Sequence, residues 1–406
     1  MKIKAVLLFL MVSVSVFSQK IAEKIQSKKL NEERNFSIIT PASYESNPTK
    51  KYPVLVLLDG EYLADPFSGI LRYGNYWDDL PEMIIVAIDQ NYGETRFNDS
   101  NYSEEDGLPA ESGAKFFEFI GFELLPYVQQ KYRTIPFRMI AGHDTTAGFL
   151  NFYLYKDDPI FNAFISLAPE MAPAMEDRIA ERLGKIQKPI FYYHATSTGD
   201  LEEIQEKTKK LDDVAKDIKN PNVIYRYDVF KNTSHYSLVA EAIPSAFYFI
   251  FNGYQPISKL EFNEKILKLD SGYAQYLIDK YDYIEKKIGI KMQPRMSDFK
   301  AIEAAILKNK AYDEFQLLAD YSDKQYPKTM LGTYQRGMYF EKTGDYKRAA
   351  KEYMRAYTQE PIGDLTKDYL LDRAEALKGK KDEPKVEEVP AETPAETPTE
   401  EPKKDE

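Results

Sequence analysis

Between Arg34 and Phe251 the chain alternates short apolar runs with stretches of helical period, and no other property narrows its fold as much. Tyr52-Pro53-Val54-Leu55-Val56-Leu57-Leu58 and Met83-Ile84-Ile85-Val86-Ala87-Ile88 are apolar at every position. A strand with one wet face would alternate, so these read as strands covered on both sides. Arg138–Ala141, Ala163–Pro169, Pro189–His194 and Val223–Tyr227 continue the series. Between the runs, Lys115 to Lys131 places Phe116, Phe117, Ile120, Leu124, Leu125 and Val128 on one side of a predicted helix. Leu201 to Ile218 reads as a charged helix and Ile243 to Phe251 as an aromatic one, with Lys231 to Tyr236 as a polar loop before it. Buried strands alternating with helices predict an α/β class: a doubly wound, mostly parallel sheet covered on both faces. Ahead of the first run, Arg34 to Thr40 alternates as a strand and Pro41 ends it, while Lys20 to Leu30 reads as a polar helical lead-in.

The chain has 406 residues, more than one ordinary domain needs. Met1-Lys2-Ile3-Lys4 followed by the apolar Ala5 to Phe17 reads as a signal peptide over 1–18, cleaved near Ser18. No later stretch is long and apolar enough to span a membrane, so a soluble periplasmic or secreted protein is expected. The α/β unit is then 19–255, with linking helices at 256–293. From 294 to 377 a helical repeat is expected, with Tyr334, Gly337, Phe340, Gly344-Asp345-Tyr346, Ala349, Tyr353, Ala356 and Pro361 at tetratricopeptide spacing. Pro327 falls 34 residues before Pro361, so a weaker copy precedes the clear one. Two units fall short of a free-standing array, so they are expected to pack on the helices before them or on the α/β unit. Residues 378–406 repeat Glu, Lys, Pro and Thr, and predict a disordered acidic tail. The formal net charge of -11 argues against a nucleic-acid partner. Cysteine is absent, which excludes disulfides, thiolate metal sites and cysteine nucleophiles.

One junction is built for chemistry. The run Phe137-Arg138-Met139-Ile140 leads through Ala141 into Gly142-His143-Asp144-Thr145-Thr146-Ala147-Gly148 and then an amphipathic stretch from Phe149 to Tyr155. Strand, sharp turn and helix in that order form the frame of a nucleophile elbow, G-x-S-x-G. Here Asp144 stands in the serine slot and Thr146 in the second glycine slot.

With that junction, the pieces Arg34–Pro41, Lys51 to Asp59-Gly60, Gly142-His143, Pro159-x-Phe161 to Ser166-Leu167-Ala168-Pro169, and Ser234-His235-Tyr236-Ser237 resemble the esterase D and enterochelin-esterase family of α/β-hydrolases. The resemblance covers about Ser27 to Gly253, and the helical C-terminal layout is similar too. It implies a triad in the order nucleophile, acid, histidine. His235 would be the histidine. Asp200 or Glu202 would be the acid. The oxyanion hole would use the backbone N–H of Thr145 and one from the Gly60-Glu61 turn.

An aspartate cannot perform the serine's acyl transfer, because attack would give a mixed anhydride and its charge sits where the oxyanion must form. Thr146 adds a branched side chain where the elbow glycine allows close approach. The sequence therefore reads as a pseudo-esterase that acts by binding or as a scaffold. Asp144 and His235 would then form a buried ion pair. An active hydrolase remains the alternative, by one of two routes. Either a displaced nucleophile cleaves carboxylic esters, or Asp144 itself attacks a saturated carbon. The second route resembles epoxide hydrolases and haloalkane dehalogenases, with His235 activating water. A protein partner on the C-terminal helices and a small ester or sugar ligand are both compatible with this layout.

The remaining candidates have plainer readings. His143 reads as packing beside the elbow, and His194 as a structural histidine at a strand end. The three histidines do not fall at metal-ligand spacing, so no metal is expected. No glycine pattern cradles a phosphate, so no cofactor is expected. Tyr73-Gly74-Asn75-Tyr76-Trp77-Asp78, Asn91-Tyr92-Gly93 and Asn101-Tyr102 are expected near the pocket mouth, either binding a sugar or aryl group or packing as ordinary tyrosines.

Overall fold

Apolar runs without alternation fold as fully buried strands. The computed structural model describes residues 20–382; the expected signal peptide and the tail from 383 lie outside them. In chain order the first elements are β1 (Lys20–Ser27), β2 (Glu32–Ile39), β3 (Tyr52–Leu57), α1 (Gly60–Tyr76), β4 (Ile84–Ile88) and α2 (Thr95–Asp99). Then come α3 (Glu111–Phe119), α4 (Leu125–Lys131), β5 (Thr134–His143), α5 (Thr145–Phe149), β6 (Ala163–Leu167) and α6 (Met175–Lys185). β7 (Ile190–Gly199), α7 (Glu202–Ala215), β8 (Val223–Ser234) and α8 (Leu238–Ile250) complete the α/β part. Its eight strands form one sheet in the order β1-β2-β4-β3-β5-β6-β7-β8. β1 and β2 are antiparallel additions at one edge, and every pair from β4 to β8 is parallel. β3, β4 and β6 are buried at every residue, as their unbroken apolar runs require.

Three segments depart from the sequence reading, each for a visible reason. Lys20 to Ser27 is an edge strand and not a helix. Its inward positions are Ile21, Glu23, Ile25 and Ser27, and the carboxylate in that series hides the alternation. Glu23 is satisfied there by Tyr127 Oη at 2.5 Å, Lys131 Nζ at 2.6 Å and the Tyr132 hydroxyl. The helix expected over Lys115–Lys131 is interrupted by a π-helical turn at Ile120–Leu124, just before Pro126, which has no N–H to continue the ladder. β8 runs on through Lys231 to Ser234, which read as loop because an edge strand tolerates polar residues on both sides.

The C-terminal part is helical. α9 (Lys259–Glu264), α10 (Tyr273–Tyr283), α11 (Met296–Asn309), α12 (Glu314–Gln325), α13 (Leu331–Lys342), α14 (Tyr346–Ala356) and α15 (Lys367–Ala376) follow one another. The chain divides into two compact units. Among the described residues, one comprises 20–258 with 279–293; the other comprises 259–278 with 294–382. The stretch 256–293 is therefore shared between the units. Within the second, Glu314 on α12 accepts the N–H groups of Gly272 (2.5 Å) and Ala274 (2.9 Å), which ties the start of α10 to the helix pairs. Ala349, Tyr353 and Ala356, singled out by spacing, are fully buried. No helix of the described residues is long and apolar enough to cross a membrane.

Candidate active site

Parallel strands all end at one edge of the sheet, and there the chain delivers its polar residues. β5 stops at His143. Asp144 then turns the backbone with φ 61° and ψ -125°, a conformation that a side chain adopts only under strain, and α5 begins at Thr145. This is the elbow geometry, kept although no serine occupies it. A Cβ on Gly142 would lie 2.8–2.9 Å from Thr146, and one on Gly148 would lie 1.9 Å from the Glu170 carbonyl oxygen. Close approach is thus demanded at 142, against Thr146, and at 148, against the Glu170 backbone. The expectation that Thr146 crowds the turn is corrected: its hydroxyl is fully buried, accepts the His143 N–H at 3.0 Å and donates to Asp59 Oδ2 at 2.6 Å.

β7 and β8 pair as far as Gly199 and Ser234, so the next residues, Asp200 and His235, emerge side by side. His235 Nδ1 lies 2.6 Å from Asp200 Oδ1. Asp200 also accepts from Thr196 Oγ1 (2.9 Å) and the Ser197 N–H (3.2 Å). Glu202, the other acid suggested by sequence, is already the first residue of α7 and is exposed, one turn too late to reach the histidine. The opposite ring nitrogen, Nε2, faces Asp144 Oδ1 at 3.8 Å. Asp144 and His235 are 28% and 17% exposed, so the pair lines an open pit and is not the buried contact expected from sequence.

Burial works against an ionised Asp200, but His235, Thr196 and the Ser197 amide outweigh it and hold its pKa below the ordinary carboxylate value. The bond to Asp200 raises the His235 pKa above the usual imidazole value; burial opposes this and Asp144 adds to it. Lowered acid and raised histidine together stabilise the fold most between their unfolded values, roughly pH 4 to 6.5. The contribution falls away above that window as His235 loses its proton, and below it as Asp200 gains one. Since the chain has only three histidines, ring-proton NMR resolves this directly. His235 is expected to titrate above ~6.5, and His143 and His194 below it. A His235 midpoint below the other two would remove the Asp200 contact.

His143 is more than packing. It is buried, its Nε2 donates to the His235 carbonyl oxygen at 3.1 Å, and its Nδ1 lies 3.2 Å from Tyr62 Oη. A carbonyl can only accept, so Nε2 carries the proton, and burial together with the nearby His235 lowers the His143 pKa and keeps the ring neutral. His143 thereby positions the turn that carries His235. His194 is structural: it is fully buried, bonds Tyr225 Oη at 2.6 Å, and burial drives its pKa down to about 3.

The residue missed from sequence is Arg96, on α2. It donates to Asp59 from Nε (2.6 Å) and Nη2 (3.2 Å), to the His143 carbonyl at 2.9 Å, and reaches Asp144 Oδ2 at 3.4 Å. Burial disfavours its charge, but Asp59 outweighs burial and raises its pKa further. Asp59 is fully buried and also accepts from Tyr62 Oη at 2.9 Å. α2 itself is anchored by Asp99, which is buried against Arg34 and accepts Gln90 Nε2 at 2.9 Å. One signal was available. A buried aspartate closing a strand needs a cation, and only Arg72, Arg96 and Lys115 lie between Asp59 and residue 115.

The remaining expectations divide. Thr145 begins α5, so its backbone N–H has no partner within the helix, while its hydroxyl donates to Glu170 Oε2 at 2.7 Å. Gly60 and Glu61 open α1, and the Glu61 carboxylate accepts the N–H groups of Gln90 (2.7 Å) and Asn91 (2.6 Å), fixing the loop after β4. Asn91 and Gly93 line a cavity of about 280 Å³ with Arg96 and Thr145. A second cavity of about 290 Å³ lies against Asp144, Glu170 and Leu201. Tyr73 to Asp78 are not at this mouth. They end α1, which runs back from the site for 17 residues, and Asn75 there bonds the Leu80 carbonyl just ahead of β4. Among the described residues, no group of three or more histidine, aspartate or glutamate side chains is placed to hold a metal ion.

The Esterase family model matches residues 27–214, from the end of β1 to within α7. Over these residues the chain is esterase-like, with the α/β-hydrolase fold. A solved structure of an uncharacterised protein from Capnocytophaga ochracea DSM 7271 resembles it at 29% identity and a TM-score of 0.81, over 88% of this chain and 99% of that one. An IroE-like serine hydrolase from Shewanella oneidensis shares the fold at 20% identity and a TM-score of 0.57, over 80% of this chain and 99% of that one. No curated protein matches the chain in sequence. The α/β part thus brings Asp144, Asp200 and His235 together at one edge of its sheet.

Proposed function

We propose that this hydrolase-fold protein is a non-catalytic binding protein. The observation that supports it is the setting of Asp144, with Arg96 Nη1 3.4 Å from one oxygen and His235 Nε2 3.8 Å from the other. A serine elbow needs a neutral histidine whose free nitrogen can take a proton. Here Asp144 adds to Asp200 in favouring the protonated ring, which works against that role. The adjacent hydroxyls are committed elsewhere, Thr145 to Glu170 and Thr146 to Asp59, so neither stands in as a displaced nucleophile. The two cavities beside the elbow suit a small ester or sugar ligand, held and not cleaved. We further infer export by the N-terminal apolar segment, and a protein partner on tetratricopeptide-like C-terminal helices.

A second reading rests on the same 3.8 Å approach. Asp144 would attack a saturated carbon, and His235, backed by Asp200, would activate water against the ester. Against it, the Arg96 guanidinium draws charge from the attacking oxygen. The readings separate by assay of the purified protein with p-nitrophenyl acetate and styrene oxide. Neither is expected to turn over faster with wild type than with His235→Ala. Acetate release lost in His235→Ala would overturn the binding reading. A styrene-oxide adduct on Asp144, seen by mass spectrometry, would establish the second.

A further inference from the structure

The second compact unit holds a cavity that the hydrolase site does not explain. It measures about 490 Å³, within the range of small-ligand pockets. Its walls include Met296, Phe299 and Leu307 from α11, Leu331 and Tyr334 from α13, and Tyr369 from α15. Two carboxyls stand among these walls: Asp364, exposed at the rim and paired with Lys300, and Glu303, the one set among the apolar side chains. It is held from behind: Gln335 Nε2 donates to Glu303 Oε1 at 2.8 Å, and Ser322 Oγ donates to the Gln335 carbonyl oxygen at 2.6 Å. Gln335 and Ser322 are fully buried, so the amide cannot flip without breaking both bonds. One Glu303 oxygen is thereby engaged, and the other accepts no hydrogen bond within the described residues. The nearest cation, Lys300 one turn earlier on α11, is paired at the rim with Asp364. Arg373 on α15 is taken by Glu341 and the Tyr369 hydroxyl.

We propose that this cavity binds a small organic amine, its ammonium group on Glu303 and its apolar body against Phe299, Leu331, Tyr334 and Tyr369. An apolar pocket with one fixed acceptor and aromatic rings beside it recognises a cation on an apolar frame. The neutral isostere gains the apolar contact alone. Burial pushes the Glu303 carboxyl up to about 7, with Gln335 and Lys300 opposing. The empty site is therefore largely protonated at pH 6, and the amine must displace that proton.

The test is calorimetric titration of the full chain with phenylalkylamines of one to four methylenes, against 4-phenylbutan-1-ol. At least one amine is expected to bind, about tenfold more tightly at pH 8 than at pH 6, because only the ionised fraction of Glu303 is competent. Glu303→Gln keeps the shape and the Gln335 bond. It is expected to lose about tenfold in amine affinity and all of the pH dependence, and to leave the alcohol unaffected. Ala304→Phe, a rim substitution in the same cavity, is expected to weaken amine and alcohol alike. Absence of binding by every amine, equal affinity of wild type and Glu303→Gln, or an alcohol bound as tightly as the amine would each overturn the proposal.

Discussion

Asp144→Ser is expected to switch on p-nitrophenyl acetate hydrolysis, raising kcat/KM by on the order of 10²- to 10⁴-fold over the wild-type background. That range is what a positioned general base contributes. Its parts are already in place. The backbone at 144 has the strained turn that lifts a nucleophile out of the sheet. His235 is oriented by Asp200 at 2.6 Å, and its Nε2 already faces the substituted side chain. Removing the Asp144 charge also removes one of the two carboxylates that raise the His235 pKa, which favours the neutral base. Arg96 keeps its bonds to Asp59 and the His143 carbonyl, so the turn is not expected to collapse. Thr146 offers no obstacle, because its hydroxyl is part of the support beneath the elbow. Asp144→Ser/His235→Ala is expected to return to background. An inactive Asp144→Ser variant whose His235 still titrates as a pair with Asp200 would show that the oxyanion site is lost as well, and the account of a single silencing substitution would fail.

Much of this architecture could be read from residues alone, because the physics behind it is local. β3, β4 and β6 must be buried on both faces, and an unbroken apolar run records that without reference to the rest of the chain. His235, and Asp200 or Glu202 as its acid, could be named because the resemblance to the esterase family places them after strands. That Asp200 and His235 meet depends on the register pairing Gly199 with Ser234, which no local pattern records. β1 and the end of β8 were illegible for the opposite reason. An edge strand shares its burden with solvent, so Glu23 and Lys231 are allowed where a central strand would exclude them. Arg96 and Thr146 were missed or misjudged because their meaning lies in partners far along the chain. Arg96 serves Asp59, 37 positions earlier, and Thr146 serves the same carboxylate from 87 positions later. Reading Thr146 as a defect followed from treating the elbow as a motif of fixed slots. In the folded chain the crowding falls at Gly142 and Gly148 instead.

Arg96→Met is expected to destabilise the hydrolase domain by about 3 kcal/mol, since removing one partner of a buried pair leaves its charge uncompensated. Asp59 is fully buried, whereas Arg96 is 24% exposed, so the low end of the range for buried pairs applies. The remaining donors, Thr146 and Tyr62, are neutral hydroxyls that solvate the carboxylate without balancing it. Asp144 adds a second negative charge beside it once the guanidinium is gone. For a domain of this size the loss corresponds to a melting temperature lower by roughly 6–12 °C. Asp59→Asn alone is expected to cost less, because Arg96 reaches solvent and retains the His143 carbonyl and Asp144. The double variant Asp59→Asn/Arg96→Met is expected to recover most of what Arg96→Met loses, the signature of two groups that matter to each other more than to the rest of the fold. Thermal melts of the four proteins at pH 7 close that cycle. A melting temperature for Arg96→Met within a degree or two of wild type would mean that Asp59 is neutralised by another route. The guanidinium would then belong to the ligand pit, as a group held free for an incoming anion, and not to the foundation of the elbow.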